Sequence, residues 1–245
     1  MPTRFKTLVT GATSGIGRGT ALHLAAQGHY VIVAGQNPAR LADLSRALGR
    51  DGETLKLDVA DLDAVATAFG GLGRQGDGLS GLVINAGVSH APDPAELDLP
   101  AYDRLMNINV RGAVMTCAHA LPLLRNGASI VFIGSVAGRR GQPGNALYAG
   151  SKGFIRAFAR TLGTAPDIME RGIRVNVVSP GPIETPMTEH ATNNPEIRAY
   201  VEGMVPMRRW GHASEVAAAV AFFLSDAASF TTGADLTVDG GMSHV

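Results

Sequence analysis

Short apolar runs bounded by glycine or polar residues recur along the chain, and the stretches between them carry helical character. Lys6-Thr7-Leu8-Val9-Thr10 predicts a first strand. A glycine-rich turn follows, then an Ala-rich helix over 20–27 with Leu22 and Leu24 among its apolar positions, then a second strand at Tyr30-Val31-Ile32-Val33-Ala34. Pro38 suits the first turn of a helix reaching about Leu48. Residues 54–57 predict a third strand ending at Asp58, and Asp61 can cap a helix that stops near Gly70-Gly71. The polar, glycine-rich stretch 70–81 reads as a flexible connection.

The second half repeats the alternation. Leu82-Val83-Ile84-Asn85 is the fourth strand, 90–100 is loop, and a long helix spans about 101–125 with a bend near Gly112. Ser129-Ile130-Val131-Phe132-Ile133 is a fifth strand, apolar throughout as a strand covered on both faces must be. After a loop at 138–144, a helix runs from 146 to about 170. Arg174-Val175-Asn176-Val177-Val178 is the sixth strand, and the prolines of 180–186 predict irregular structure. Residues 188–204 read as short helices over a loop, Ser214 as the cap of a helix over 215–224, and 235–238 as the last strand. Strand, glycine turn, helix, strand opens a doubly wound sheet. With no break in composition, the pattern predicts one α/β domain over 1–245. It is a Rossmann-type doubly wound parallel sheet of seven strands with helices on both faces, and a substrate lid at 182–212 lies within it.

Composition narrows the partners. Among 245 residues, Lys plus Arg equals Asp plus Glu at 21 each, so nothing draws the chain to nucleic acid or an anionic membrane. The lone Cys117 excludes an internal disulfide or a cysteine-rich metal site, and its apolar helical setting makes it a small buried hydrophobe. No metal site is expected. No apolar run approaches the ~20 residues needed to span a bilayer. Met1-Pro2-Thr3-Arg4-Phe5-Lys6 reads as the start of a folded domain and not as a signal peptide, so a cytoplasmic protein is expected.

Two stretches carry candidate chemistry. Gly11-Ala12-Thr13-Ser14-Gly15-Ile16-Gly17 sits between a strand and a helix, where backbone N–H groups can take a pyrophosphate and a Cβ would obstruct it. Thr13 and Ser14 add hydroxyl donors. Tyr148 and Lys152 leave one helix face four residues apart, where an ammonium would pull a phenol's pKa down toward the working pH and let it exchange a proton with an alcohol oxygen. After the second strand stand Gly35-Gln36-Asn37: no acid to bind ribose hydroxyls or repel a 2′-phosphate, and no base beside it, with Arg40 one turn on. That leans toward NADP over NAD. Asp58 is placed either for the adenine edge or as a turn residue.

Taken together, Thr10 to Gly17, Asn85-Ala86-Gly87, Asn109, Ser135, Tyr148-x-x-x-Lys152, Pro180-Gly181, Pro206 to Gly211 and Val238-Asp239-Gly240-Gly241 resemble the short-chain dehydrogenase/reductase family, in order and over essentially the whole chain. The nearest branch is the one similar to 3-oxoacyl-carrier-protein reductases. The resemblance implies hydride transfer between NAD or NADP and a carbonyl or secondary alcohol. Ser135 would orient the substrate oxygen, Tyr148 act as general acid or base, Lys152 tune it and bind the nicotinamide ribose, and Asn109 hold a relaying water, or else be a buried Asn bonded to backbone. Cofactor contacts would come from Gly11, Thr13, Ser14, Gly15, Ile16, Gly17, Gln36, Asp58, Val59, Asn85, Ala86, Gly87, Tyr148, Lys152, Pro180 and Gly181. Ile183 and Thr185 would orient the nicotinamide amide. The resemblance also implies a homodimer or homotetramer.

The substrate pocket should draw on His90, residues 136–145 and Met187 with the segment after it, Gln142 and Asn145 offering hydrogen bonds to a small-molecule carbonyl or alcohol. The polar lid over 188–204 hints at a polar substrate. Arg208 and Arg209 could meet an acidic one, or form structural ion pairs. Two other readings are an inactive nucleotide-binding module, which predicts a damaged Ser/Tyr/Lys set, and a non-redox epimerase or dehydratase, which predicts a longer substrate domain.

Overall fold

The structure is a computed structural model that describes residues 5–74, 78–89, 92, 94–141 and 144–244. In chain order it runs β1 (Lys6–Thr10), α1 (Gly15–Ala26), β2 (Tyr30–Gly35), α2 (Pro38–Leu48), β3 (Gly52–Lys56), α3 (Leu62–Arg74), β4 (Leu79–Ile84), α4 (Leu99–Met106), α5 (Ala113–Ala120) and β5 (Leu124–Ile133). It continues with α6 (Ala146–Leu162), α7 (Pro166–Glu170), β6 (Arg174–Pro180), β7 (Ile183–Glu184), α8 (Glu189–Thr192), α9 (Pro195–Met204), β8 (Gly211–His212), α10 (Ala213–Leu224) and β9 (Asp235–Val238).

Seven strands form one parallel sheet in the order β3-β2-β1-β4-β5-β6-β9; β7 and β8 make a separate two-stranded parallel pair. Alternation along each strand feeds two cores. Leu8, Ile32, Leu82 and Ile130 face α3, α5 and α6 through Val65, Phe69, Cys117 and Ile155. Val9, Val31, Val83 and Val131 face α1, α2 and α10 through Leu24, Leu44, Val216 and Val220. Each such side chain contributes roughly 1.5–3 kcal/mol by leaving water. The order reverses between β1 and β4, so the crevice where α/β sheets receive ligands opens at the carboxyl ends of those two strands.

Several boundaries differ from expectation for identifiable reasons. Helix α3 passes through Gly70 and Gly71 to Arg74, because Val65 and Phe69 are buried and Leu72 packs beside them; that outweighs about 1 kcal/mol per helical glycine. Strand β5 begins at Leu124, which pairs with Leu79 ahead of a register shift. The long helix is interrupted by a π-helical turn, Asn107–Gly112, where the bend was expected. The helix expected to reach 170 ends at Leu162, since Pro166 forces Ala165 into extended backbone. Pro180 closes β6 in regular pairing, the next ladder bond coming from the Gly181 N–H to the Val238 carbonyl. His212, not Ser214, caps α10, because Glu215 reaches back to the His212 N–H at 2.7 Å.

Candidate active site

The turn after β1 is held by a side chain from β4's end. Asn85 Nδ2 donates to the carbonyls of Thr10 and Gly11, both at 3.0 Å, and the Asn85 N–H donates to Thr10 Oγ1 at 3.1 Å. This explains two glycines differently from the sequence argument. A Cβ on Gly17 would lie 2.4 Å from Asn85 Nδ2 and from the Gly11 carbonyl, and one on Gly11 would lie 2.7 Å from the Ala86 Cα. They are bare to admit the Asn85 brace; Gly15, at φ +51°, is the glycine that faces Thr185 across the cavity.

The N-terminus of α1 fits a pyrophosphate. Ser14 precedes it with a hydroxyl that makes no capping bond, the first turn holds no acid, and Thr13, Ser14, Gly15 and Ile16 all line a cavity of about 630 Å³. The same cavity is lined by Gln36, Val59, Asn85, Ala86, Gly87, Pro180, Gly181, Ile183 and Thr185. A Cβ on Gly35 would meet Thr13 Cγ2 at 2.5 Å, so any side chain at the ribose-binding acid's position would have to displace the Thr13 methyl. Asp58 and Gly17 lie outside the lining; Asp58 Oδ1 accepts from the Ala60 N–H at 2.9 Å, as a turn residue does. Gly181 is bare because Asp239 packs 2.8 Å from where its Cβ would stand.

Ser135, Tyr148, Lys152 and Asn145 line the cavity's other end. Ser135 sits just past β5, where its Oγ accepts from the Ala137 N–H at 3.1 Å and shares a side-chain hydrogen bond with Tyr148. Lys152 Nζ donates to the Ile133 carbonyl at 2.9 Å and lies 5.8 Å from the centre of the Tyr148 ring. The expected lowering of the phenol does not appear. Burial pushes the Tyr148 pKa up, with the Ser135 bond opposing it, and burial pushes Lys152 down to about 8. The ammonium's bond goes to a main-chain carbonyl, and desolvation outweighs its pull on the phenol.

Asn109, inside the π-helical turn, is buried. Its Oδ1 accepts from the Val88 N–H at 2.8 Å; its Nδ2 donates to the Val88 carbonyl at 2.8 Å and to Ser151 Oγ at 3.2 Å. The amide thus ties the segment after β4 to α6, the backbone-bonded alternative for this residue. Gln142 and His90 fall outside the described residues. Val201 and Trp210, within the lid segment that the sequence assigned to the pocket but not singled out there, also line the cavity, and so does Met242, which sequence reasoning missed. Met242 is positioned by Arg140, whose Nη1 donates to the Met242 carbonyl at 2.8 Å, and by Asp239, which accepts from the Gly241 and Ser243 N–H groups. No signal in the sequence links that C-terminal turn to the loop after β5.

A doubly wound sheet whose switch-point crevice carries an anion-receiving helix start at one end and a buried phenol, hydroxyl and ammonium at the other belongs to the nicotinamide-dependent oxidoreductases. The comparisons agree. A family model described as enoyl-(acyl carrier protein) reductase matches residues 11–243. The uncharacterized oxidoreductase YgfF of Escherichia coli K12 is 38% identical, the match covering 96% of this chain and 98% of that one. The 3-oxoacyl-[acyl-carrier-protein] reductase FabG of Salmonella typhimurium is 35% identical over 97% of both chains. The solved Pseudomonas aeruginosa RhlG/NADP active-site complex superposes with a TM-score of 0.92 at 29% identity, covering 98% of this chain and 96% of that one. The chain belongs to the short-chain dehydrogenase/reductase family. It is an NAD(P)-dependent oxidoreductase that acts between alcohol and carbonyl.

Proposed function

We propose that this enzyme interconverts a carbonyl and a secondary alcohol with Tyr148 as general acid and base, Ser135 as the orienting hydroxyl and Lys152 as the supporting cation. The observation that carries the reading is the meeting of these three side chains in the cavity that the glycine turn also lines. The α1 start and residues 85–87 and 180–185 would hold the dinucleotide, which would supply or accept the hydride when bound. In reduction, Ser135 Oγ donates to the substrate oxygen and the Tyr148 O–H gives up its proton as negative charge develops there. In oxidation the phenolate takes that proton back. Burial keeps the Tyr148 phenol protonated and works against its release of the proton, a cost that Lys152, fixed on Ile133, offsets with its charge as the phenolate forms. Asn109 Oδ1, which accepts from the Val88 N–H, stands with Lys152 Nζ beside Gly87, 3.3 and 3.5 Å from where a Cβ on that residue would be, and in this reading a water held there would relay protons to Lys152.

NADP is the preferred cofactor in this reading, since Gly35 offers no acid to repel a 2′-phosphate and the neutral Gln36 and Asn37 line the subsite. Residues 182–212 form the lid. Helix α9 is latched to β7 by Arg198, which donates to Glu184 at 2.6 Å and to Glu202 at 3.0 Å. The enzyme assembles as a homodimer or homotetramer. Phe154 on α6 is 44% exposed and stacked on Phe158, Tyr102 on α4 is 40% exposed, and Phe222, Phe230 and Leu236 are further exposed apolar side chains.

Side-by-side titration with NADPH and NADH, then absorbance at the nicotinamide band over a ketone panel, tests the reading. Tighter NADPH binding and cofactor oxidation are expected. Failure to bind either dinucleotide would overturn it.

A further inference from the structure

The exposed side of the lid is polar; beneath it Asn145, Thr185, Thr188 and His190 also line the cavity, but most of the lid's lining side chains are apolar. Beside Ser135 and Tyr148 the cavity is walled by Val136, Met187, Val201, Met204, Trp210 and Met242. Val136 and Met242 are buried with Val205 in a small core of their own, against which Met204 packs. Among the described lining residues there is no arginine, aspartate or glutamate; Lys152 is bound to the Ile133 carbonyl, and His190 is the other basic side chain. The arginines of the loop after β5 and of residues 182–212 are committed elsewhere, Arg139 to Asp235. Arg140 bonds the Met242 carbonyl and Arg208 the Gly203 carbonyl. Arg198 pairs with Glu184 and Glu202, and Arg209 with Glu215 at 2.6 and 2.9 Å. A carboxylate or phosphate brought against the apolar lid wall would lose its hydration with no arginine to meet it, the Lys152 ammonium being held at the Ile133 carbonyl beside Tyr148. Methionines, flexible and polarizable, line apolar space that adapts to varied hydrocarbon shapes.

We propose that the substrate end of the cavity takes uncharged, mostly apolar ketones or secondary alcohols and turns away those bearing a carboxylate or phosphate, with Met204 and Met242 setting that choice. The inference rests on the hydride-transfer reading above for where the substrate sits. It reverses the expectation of a polar substrate drawn from the lid sequence: α9 turns its charges outward and to Glu184, leaving Val201 and Met204 on the cavity.

The test compares 2-octanone with 7-oxooctanoate, the same methyl ketone bearing a terminal carboxylate, on the full chain with its preferred dinucleotide. The neutral ketone is expected to show at least tenfold higher kcat/KM, and Met204→Arg to narrow or invert that ratio. Equal or better use of the keto acid by the unmodified enzyme overturns the inference and leaves the hydride-transfer reading intact. A binding measurement separates the two further and does not depend on the variant folding. Trp210 is the single tryptophan of the chain and lines the cavity, so its fluorescence reports occupancy. If neither ketone is reduced but 2-octanone alone perturbs Trp210, the selectivity stands and the chemistry falls. If both perturb it equally, or neither does, the selectivity falls.

Discussion

The Lys152 ammonium donates to the Ile133 carbonyl at 2.9 Å and is only 6% exposed, so the last residue of β5 fixes the cation beside Tyr148. Its pKa falls from the ordinary 10.5 to about 8 because burial disfavours the charge. Between about pH 8 and pH 10 the unfolded chain therefore holds this proton while the folded one releases it, and stability rises with pH across that window. The buried charge costs most below pH 8, on the order of 3 kcal/mol. Lys152→Met also loses the Ile133 bond, an offset that does not vary with pH. Urea denaturation at pH 7, 8, 9 and 10 should show the variant's stability relative to the parent declining toward pH 10. A difference that stays constant would mean the ammonium is not desolvated.

Tyr148→Phe removes the proton donor and keeps the ring. Turnover should fall by about 10²–10⁴-fold, while dinucleotide affinity stays within about twofold. The ultraviolet tyrosinate signal that this variant lacks should develop above pH 10 in the parent, because burial raises the phenol. Appearance of that signal below pH 9 would reverse the assignment of burial as the dominant influence.

Asn85→Ala withdraws two donors from the Thr10 and Gly11 carbonyls at the sheet's switch point. A stability loss of about 1–3 kcal/mol is expected, with dinucleotide affinity weakened by at least tenfold as the turn loses its shape. Calorimetric titration with unchanged affinity would show that the turn holds itself.

Two glycine substitutions should diverge. Gly17→Ala forces a Cβ to 2.4 Å from both Asn85 Nδ2 and the Gly11 carbonyl, so the variant should lose dinucleotide binding. Gly150→Ala, inside α6 with nothing within 4 Å of its added Cβ, should gain about 0.5–1 kcal/mol. Thermal melts of the two, run together, decide whether close packing or glycine's freedom governs each position.

The strands, their order of appearance and the Tyr148/Lys152 pair were legible because apolar runs and i,i+4 spacing are local signals. What escaped was set at a distance. Leu124 joins β5 because Leu79 lies beside it, and α3 ignores two glycines because Phe69 has a core to fill. The roles of Gly11 and Gly17 depend on an amide from Asn85, 74 residues along the chain from Gly11. The direction of the Tyr148 shift depends on burial, which spacing alone does not reveal. The lid hides its inner face for a related reason: charge on α9 is visible in the sequence, but the face that carries it is not.

The turn Met242–His244 is sewn to the loop after β5 through Arg140 and is closed on itself by Asp239, and it puts Met242 in the wall of the cavity. A purification handle fused behind residue 245 would hang within a few residues of that wall and pull on it. Kinetic constants should therefore be compared between preparations tagged at opposite termini before any substrate preference is ascribed to the enzyme.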